Sequence, residues 1–362
     1  MSILIFIVVI VALIVVHEFG HFVVAKLSGM RVDEFGLGYP PRAMTITKVG
    51  ETLYTLNWLP FGGFVKIYGE DGGERDSRSF SSRPRILQAL VLIAGIAMNF
   101  LFAYVLITGA LIMGTPRALS QDELTNARGA ELAVANVLPG SPAALAGLLP
   151  GDSILSAQDA AGEWHAVDPQ SFSAFVAQNG GNEIILRVKR AENEQSIIAT
   201  PAAGVASADP TRYALGVEVA TIGVVPLSFG AAIVEGARLT WSATVLTAVG
   251  LWHFFYGVFT FSADLSQVAG PIGIAGVVGS ASAQGFEHLL SITAIISINL
   301  ALINLIPIPA LDGGRLLFVA IESIIRRPIN ANVTRAVNAI SFVFLVLLMV
   351  VVTAHDIFKI VR

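Results

Sequence analysis

The sequence contains no cysteine, so disulfides, thiolate metal sites and cysteine nucleophiles are excluded together, and any metal must be held by His, Asp or Glu. Charge is also scarce: only 13% of the 362 residues are Asp, Glu, Lys or Arg. The net charge of −4 is spread without long runs of one sign, which leaves no nucleic-acid footprint and points to membrane and protein partners. The N-terminus lacks the marks of a cleaved secretory signal. No basic residue precedes "ILIFIVVIVALIVV", no A-x-A-like site follows it, and the first basic residues, Lys26 and Arg31, lie on its C-terminal side. Residues 3–25 are therefore read as a retained span with its N-terminus outside.

What the chain has in abundance is apolar surface: 54% of residues are hydrophobic and the mean hydropathy is +0.73, too high for a soluble globular protein of this length. Runs of about 20 apolar residues, enough to cross a bilayer, occur at 3–25, 86–113, 288–309 and 333–354. The fold class expected is an α-helical polytopic membrane protein with about four transmembrane helices. Nine of the 22 Lys and Arg residues fall between Lys26 and Arg85, including Arg75, Arg78, Arg83 and Arg85, so by the positive-inside bias this loop is cytoplasmic. Residues 115–225 have ordinary soluble composition and fall on the opposite face. The stretch 230–262 is apolar, yet it contains Glu235, Arg238, His253 and "WHFFY", which suits an amphipathic helix lying in the interface. Parity requires 230–287 to cross zero or two times if 288–309 is to deliver "LDGG" to the cytoplasmic half, and zero crossings is the reading adopted. Four regions result: a first membrane half (1–114), an extracytoplasmic insertion (115–225), an interfacial segment (226–287) and a second membrane half (288–362) that ends outside.

Within the insertion, "VLPGSPAALAGLLPGDSILS" (137–156) has a recognisable construction. A Pro-Gly turn precedes a short helix with Ser141 at the cap and Pro142 in the first turn, and a Gly-Leu-Leu-Pro-Gly-Asp turn then leads into an apolar strand. The helix "SFSAFVAQ", the strand "EIILRVKR" and the closing "TRYALGVEVA" complete a small mixed β/α module. This module resembles a PDZ domain.

The chemistry is concentrated in "ALIVVHEFGHFVVA" (12–25), where His17, Glu18 and His21 interrupt a transmembrane run. Each ionisable group at the centre of a span costs roughly 2.5–3.5 kcal/mol on insertion scales, so three within five residues need partners. His17 and His21 form H-E-x-x-H, and on a helix they stand about 6 Å apart along the axis on one face, able to bind one metal ion. Glu18 is placed to take a proton from water at that metal. The other His residues, His165, His253, His288 and His355, read as structural or solvated. A second constellation is "NLALINLIPIPALDGG" (299–314): asparagines in an apolar run, two prolines that break the helix, then Asp312 before two glycines. Broken backbone at membrane depth is tolerated where it is buried in protein or lines a watery cavity. Asp312 is a ready third ligand, and two histidines with one carboxylate leave a fourth zinc position open, as in catalytic sites.

H-E-F-G-H in the first span, a PDZ-like insertion and N-x-x-P-x-P-x-L-D-G in a later span together resemble the site-2 protease family of intramembrane zinc metalloproteases, most closely the bacterial branch of the regulator of sigma-E protease. The resemblance extends to "LPFGGFVKIYGED" (59–71), similar to the family's membrane-associated β-hairpin, to "MNF" in the second span and to "VAGPIGIA" (268–275). It implies zinc held by His17, His21 and Asp312, and Glu18 as general base in the cleavage of single-span membrane substrates. Asn304 would lie beside the metal, with Pro307, Pro309, Gly62 and Gly63 contributing to substrate binding. Asn99 follows Ala94-Gly95-Ile96 where the family often has Ala-Gly-Pro, so a kink there does not carry over. The nearest relatives commonly carry two PDZ domains, whereas 115–225 has room for one. Two other function classes use the same residues: a metal transporter, which would show a polar through-path and an internal repeat, neither of which is visible, and a non-catalytic PDZ scaffold, which has no need of Glu18.

Overall fold

The computed structural model describes residues 2–70, 76–114, 116–160, 162–165, 168–190, 193–205, 211–260, 262, 269–327 and 329–361. Asp71, Arg75 and Val268 of the motifs above lie outside these residues. The chain forms two compact units: Met1–Ala110 with Ser228–Arg362, and Leu111–Leu227.

The first unit contains, in order, α1 (Ser2–Leu27), the strands β1 (Val32–Val49) and β2 (Thr52–Ile67), and α2 (Arg85–Met113), which runs on into the second unit. After the second unit come α5 (Phe229–Phe259), α6 (Pro271–Gln284), α7 (Phe286–Leu305), α8 (Asp312–Ile325) and α9 (Ala331–Val361). Among the described residues, four helices are long and apolar enough to cross a membrane: Ser2–Leu27, Arg85–Met113, Phe286–Leu305 and Asn332–Lys359. The chain is an integral membrane protein. α5 has the length to cross, with 31 residues, but its composition leaves it outside this set.

Between apolar helices in lipid there is no hydrophobic driving force, so close packing relies on small residues and interhelical hydrogen bonds. Both are present. A Cβ on Gly20 of α1 would sit 2.4 Å from the Ala94 carbonyl oxygen of α2, so only glycine permits this approach. Ala103 of α2 packs with Ala294 and Ile298 of α7, and the Ser297 hydroxyl donates to the Asn99 carbonyl at 2.8 Å. α6 lies against α1 and α7 through Val278, Val9 and Leu13. On α9, the buried Asp356 accepts a hydrogen bond from the Gly273 N–H in the first turn of α6, at 2.8 Å.

The β1–β2 ribbon folds back on itself. Residues 42–49 pair with 52–57, while 32–37 pair with 63–67 on one side and with 53–56 on the other. The segment 63–67 is thus an edge, and β2 packs along α1. A buried cluster of Ala25, Val32, Ile67, Val91, Leu92 and Val319 joins α1, the ribbon, α2 and α8.

The second unit is built on a sheet with the order β3-β11-β4-β5-β7-β8 and β6 beside β5, where β3 is Pro116–Ala118, β4 Arg128–Val137, β5 Ser153–Asp159, β6 Gly162–Trp164, β7 Ile184–Arg190, β8 Asn193–Ala199 and β11 Val217–Val224. Every pairing is antiparallel. Two helices, α3 (Pro142–Ala146) and α4 (Pro169–Gln178), and the short β9 (Ala202–Ala203) and β10 (Tyr213–Ala214) complete it. The hydroxyl of Ser141 caps α3 by accepting from the Ala144 N–H at 3.3 Å, and Asp168 caps α4 by accepting from the Ser171 N–H at 2.9 Å. Both helices have proline in the first turn; that of α3 is the one expected from the sequence, and α4 starts two residues before the expected "SFSAFVAQ". The core includes Leu132, Leu148, Phe172, Ile184, Leu186 and Leu215, all essentially inaccessible.

Candidate metal centre

The site starts from helix geometry. Spacing of four on α1 puts His17 and His21 on one face, with their Nε2 atoms 3.1 Å apart and their rings at 88°. The third group comes from 295 residues away in sequence: Asp312 Oδ2 lies 2.9 Å from His17 Nε2 and 3.2 Å from His21 Nε2.

Asp312 is brought there by a break in the chain. α7 stops at Leu305, Ile306 leaves the helical region at ψ 137°, and the backbone turns through Ile308 N–H to Ile306 O at 2.7 Å and Leu311 N–H to Ile308 O at 2.8 Å. Pro307 and Pro309 cannot donate to a continuing helix. α8 then begins at Asp312, where the helix dipole favours a carboxylate. The two glycines that follow are required by the same turn. A Cβ on Gly313 would sit 2.4 Å from the Leu305 carbonyl oxygen, and one on Gly314 2.3 Å from that of Ile308.

One stripe of α2, residues Val91, Gly95 and Asn99 at intervals of four, faces the two histidines. The Val91 carbonyl accepts from His21 Nδ1–H at 2.7 Å, which fixes the tautomer and leaves the Nε2 lone pair for a ligand bond. Gly95 makes room for the rings: a Cβ there would lie 2.4 Å from His21 Nε2 and 2.9 Å from His17 Cε1. The Asn99 amide, itself fully buried, lies 3.2 Å from His17 Nδ1. When His17 binds through Nε2 its proton sits on Nδ1. Turning the amide about its own axis supplies the acceptor that this N–H needs, from an Oδ1 that is buried and otherwise without a partner.

The donor set fits zinc. Two imidazole nitrogens and a carboxylate oxygen, all within 4.8 Å of one another, are the only such group among the described residues. Their separations of 2.9 to 3.2 Å are close to the roughly 3.3 Å edge of a tetrahedron with bonds of about 2.0 Å.

The remaining expected residues separate into two groups. Glu18 is next to the cluster, within electrostatic reach of His17, His21 and Asp312. Its Oε2 accepts a hydrogen bond from the Val65 N–H at 3.0 Å. Gly62 and Gly63 are buried against α1 beside Ile14, Val15 and Glu18. Pro307 and Pro309 instead line an apolar cavity of about 710 Å³ with Trp252, Phe255, Ile340 and Phe344. Asn304 is half-buried on the last turn of α7, and among the described residues no hydrogen bond joins it to the three ligands. The amide at the ligands is that of Asn99. The signal for it in the sequence is an amide four residues beyond a glycine inside an apolar span.

The model of peptidase family M50 matches residues 5–348. The chain belongs to peptidase family M50. It is 36% identical over 346 residues to a Clostridium perfringens protein provisionally named a zinc metalloprotease, covering 96% of this chain and 95% of that one. It is 28% identical over 440 residues to the zinc metalloprotease RasP of Geobacillus kaustophilus (99% and 98% covered). Against RasP of Oceanobacillus iheyensis the identity is 27% over 438 residues (95% and 96% covered). The two RasP alignments are longer than the 362 residues of this chain, so those relatives carry segments that it lacks. The protein is thus a zinc metalloprotease of the site-2 protease family, with Zn2+ as its cofactor.

Proposed function

We propose that the protein hydrolyses peptide bonds within or near transmembrane segments of single-span membrane proteins, with zinc held by His17, His21 and Asp312. The observation that carries this reading is the convergence of those three ligand atoms at 2.9 to 3.2 Å, two on a helix apolar enough to span a bilayer and the third on the first residue of α8, just after the break that ends a second such helix. Zinc in this position supplies a Lewis acid that polarises the scissile carbonyl and lowers the pKa of water. The protein's own groups do the rest. Glu18 takes the proton of the attacking water and returns it to the leaving nitrogen. Val91 and Asn99 hold the two imidazoles in the ligating tautomer.

A peptide bond inside a helix is shielded by its own hydrogen bonds, so the substrate has to be unwound before attack. The edge 63–67 can receive the unwound stretch as an added strand, using main-chain hydrogen bonds with little demand on sequence. Pro307 and Pro309, in the broken segment ahead of Asp312, line the apolar wall of the approach, and Asn304 is assigned to the substrate backbone.

The second unit is read as a single PDZ-like domain. Its groove of about 360 Å³ lies between α4 and β11, lined by Phe172, Val176, Arg212, Leu215 and Val217, and suits an extended peptide end. The chain is placed in a bacterial inner membrane, with both termini and the PDZ-like unit extracytoplasmic. Its substrates would be of the kind cut by the regulator of sigma-E protease branch: anti-sigma factors already shortened outside, or remnant signal peptides.

The test is cleavage of a tagged single-span substrate in membranes, with zinc quantified in the same samples. Wild type is expected to cut, and Glu18→Gln is expected to keep zinc while losing on the order of 10²–10⁴-fold in rate. Retained cleavage by Glu18→Gln would remove Glu18 from the chemistry, and zinc without cleavage in wild type would favour a transporter or scaffold.

A further inference from the structure

The carboxylate of Glu18 is held by the ribbon rather than by any side chain. Val65 N–H donates to Glu18 Oε2 at 3.0 Å, so this donor is not spent on the ladder to β1. The approach is built from both sides. Gly62 lets the strand lie directly on α1, where a Cβ would fall 2.9 Å from Ile14 Cδ1, and Gly63 follows at ordinary contact distance from that helix, the site of a Cβ being 3.6 Å from Val15 Cγ2 and 4.0 Å from Glu18 Cγ. Val65 itself packs on the buried cluster that contains Ala25 and Val319, so the backbone at this point is anchored. Among the described residues no donor engages Glu18 Oε1.

We propose that the backbone N–H of Val65 is the positioning group for Glu18: it occupies Oε2 and turns Oε1 toward the water whose proton the carboxylate accepts. The inference rests on the protease reading above and deepens it. Because the Val65 N–H is taken by Glu18, it is not among the main-chain donors that the edge 63–67 offers to an added strand, so substrate register and base geometry are coupled. A substrate that displaces 63–67 from α1 would lose the base it needs.

The experiment removes one hydrogen. In the full chain, the amide before residue 65 is replaced by an ester, using the hydroxy-acid analogue of valine, and kcat, KM and bound zinc are measured with a single-span substrate. The all-amide chain assembled by the same route, which keeps the N–H, and Val65→Pro, which lacks it on an edge where proline is tolerated, are compared alongside. Loss of a hydrogen bond to a charged group is expected to lower kcat roughly ten- to hundredfold in the ester and proline variants. KM should stay within about twofold and zinc at the wild-type level, with the all-amide chain assembled by the same route matching wild type. Unchanged kcat in the ester variant, a rise in KM alone, or a fall in kcat accompanied by loss of zinc would overturn the assignment. A wild type that cuts no single-span substrate would instead overturn the protease reading itself.

Discussion

The membrane unit and the inserted unit bury polar groups to opposite ends. In the inserted unit, Asp152 at the start of β5 is 1% exposed and fully answered: Arg190 donates from Nε and Nη2 at 2.7 Å, and the Leu149 N–H donates at 2.9 Å. In the membrane unit, Nε2 of His17, Nε2 of His21 and Oδ2 of Asp312 face one another; the Val91 carbonyl, accepting from His21 Nδ1–H, keeps that ring's Nε2 lone pair pointed inward, and the Asn99 amide lies at His17 Nδ1. A closed network contributes stability, whereas convergent acceptors are costly unless a cation fills them. The comparison teaches which buried polar groups to assign to folding and which to chemistry, and substitutions can separate the two.

The largest effect expected on metal binding is that of Gly95→Ala. Alanine is the better helix former by roughly 1 kcal/mol, so α2 itself should be no less stable. The new methyl, however, would arrive 2.4 Å from His21 Nε2, and the ring cannot retreat without losing its 2.7 Å bond to Val91. Zinc affinity and cleavage should both fall by about 100-fold while helical content is kept, the upper end of the scale for disrupted metal surroundings. Wild-type zinc binding by Gly95→Ala, read by competition with a chelator, would mean that the stripe on α2 does not shape the site.

Asn99→Leu should come next. It removes the only amide at His17 Nδ1, among the described residues, and leaves that ring free to turn, for a loss of roughly 10–100-fold in metal affinity or rate. Asn304→Leu is the informative partner. If its cost lies in KM with zinc unchanged, Asn304 serves the substrate and Asn99 the metal ligand.

How far the sequence carries follows from these residues. His17 and His21 are legible because the i, i+4 relation on a helix needs no tertiary knowledge, and Asp312 because two prolines announce a break just before it. The Ser141 cap of α3 is legible for the same local reason. Gly95 and the Val65 N–H are not. A glycine that clears space for a ring on another helix, and a backbone donor aimed at Glu18, depend on how α1, α2 and the ribbon pack, and neither leaves a periodic trace. The choice between Asn99 and Asn304 is of this type as well. Both are amides in apolar helices, and which one faces His17 is decided by the rotation of α2 and α7 about their axes, which spacing within either helix does not determine.

The smallest effects belong to the inserted unit and should leave the zinc site untouched. Asp152→Asn keeps the shape but turns charge-assisted hydrogen bonds into neutral ones, for a loss of about 1–2 kcal/mol, moderated because Arg190 is 36% exposed and can turn to water. The same unit should be acid-sensitive in a defined direction. Arg117 beside Glu123 pulls its carboxyl from the ordinary 4.5 down to about 2, and Arg190 holds Asp152 below its usual range. A depressed folded-state pKa means that the unfolded chain binds the proton more readily, so these contributions are complete above about pH 4.5 and are lost as pH falls toward 2. A fluorine-labelled tryptophan at Trp164, which packs on Phe172 and Phe175, reports the integrity of this unit in the intact protein. Its resonance should broaden or shift between pH 4.5 and 2, and at higher pH in Asp152→Asn. If the transition instead followed zinc release from His17 and His21, the two units would not hold their buried polar groups for separate purposes.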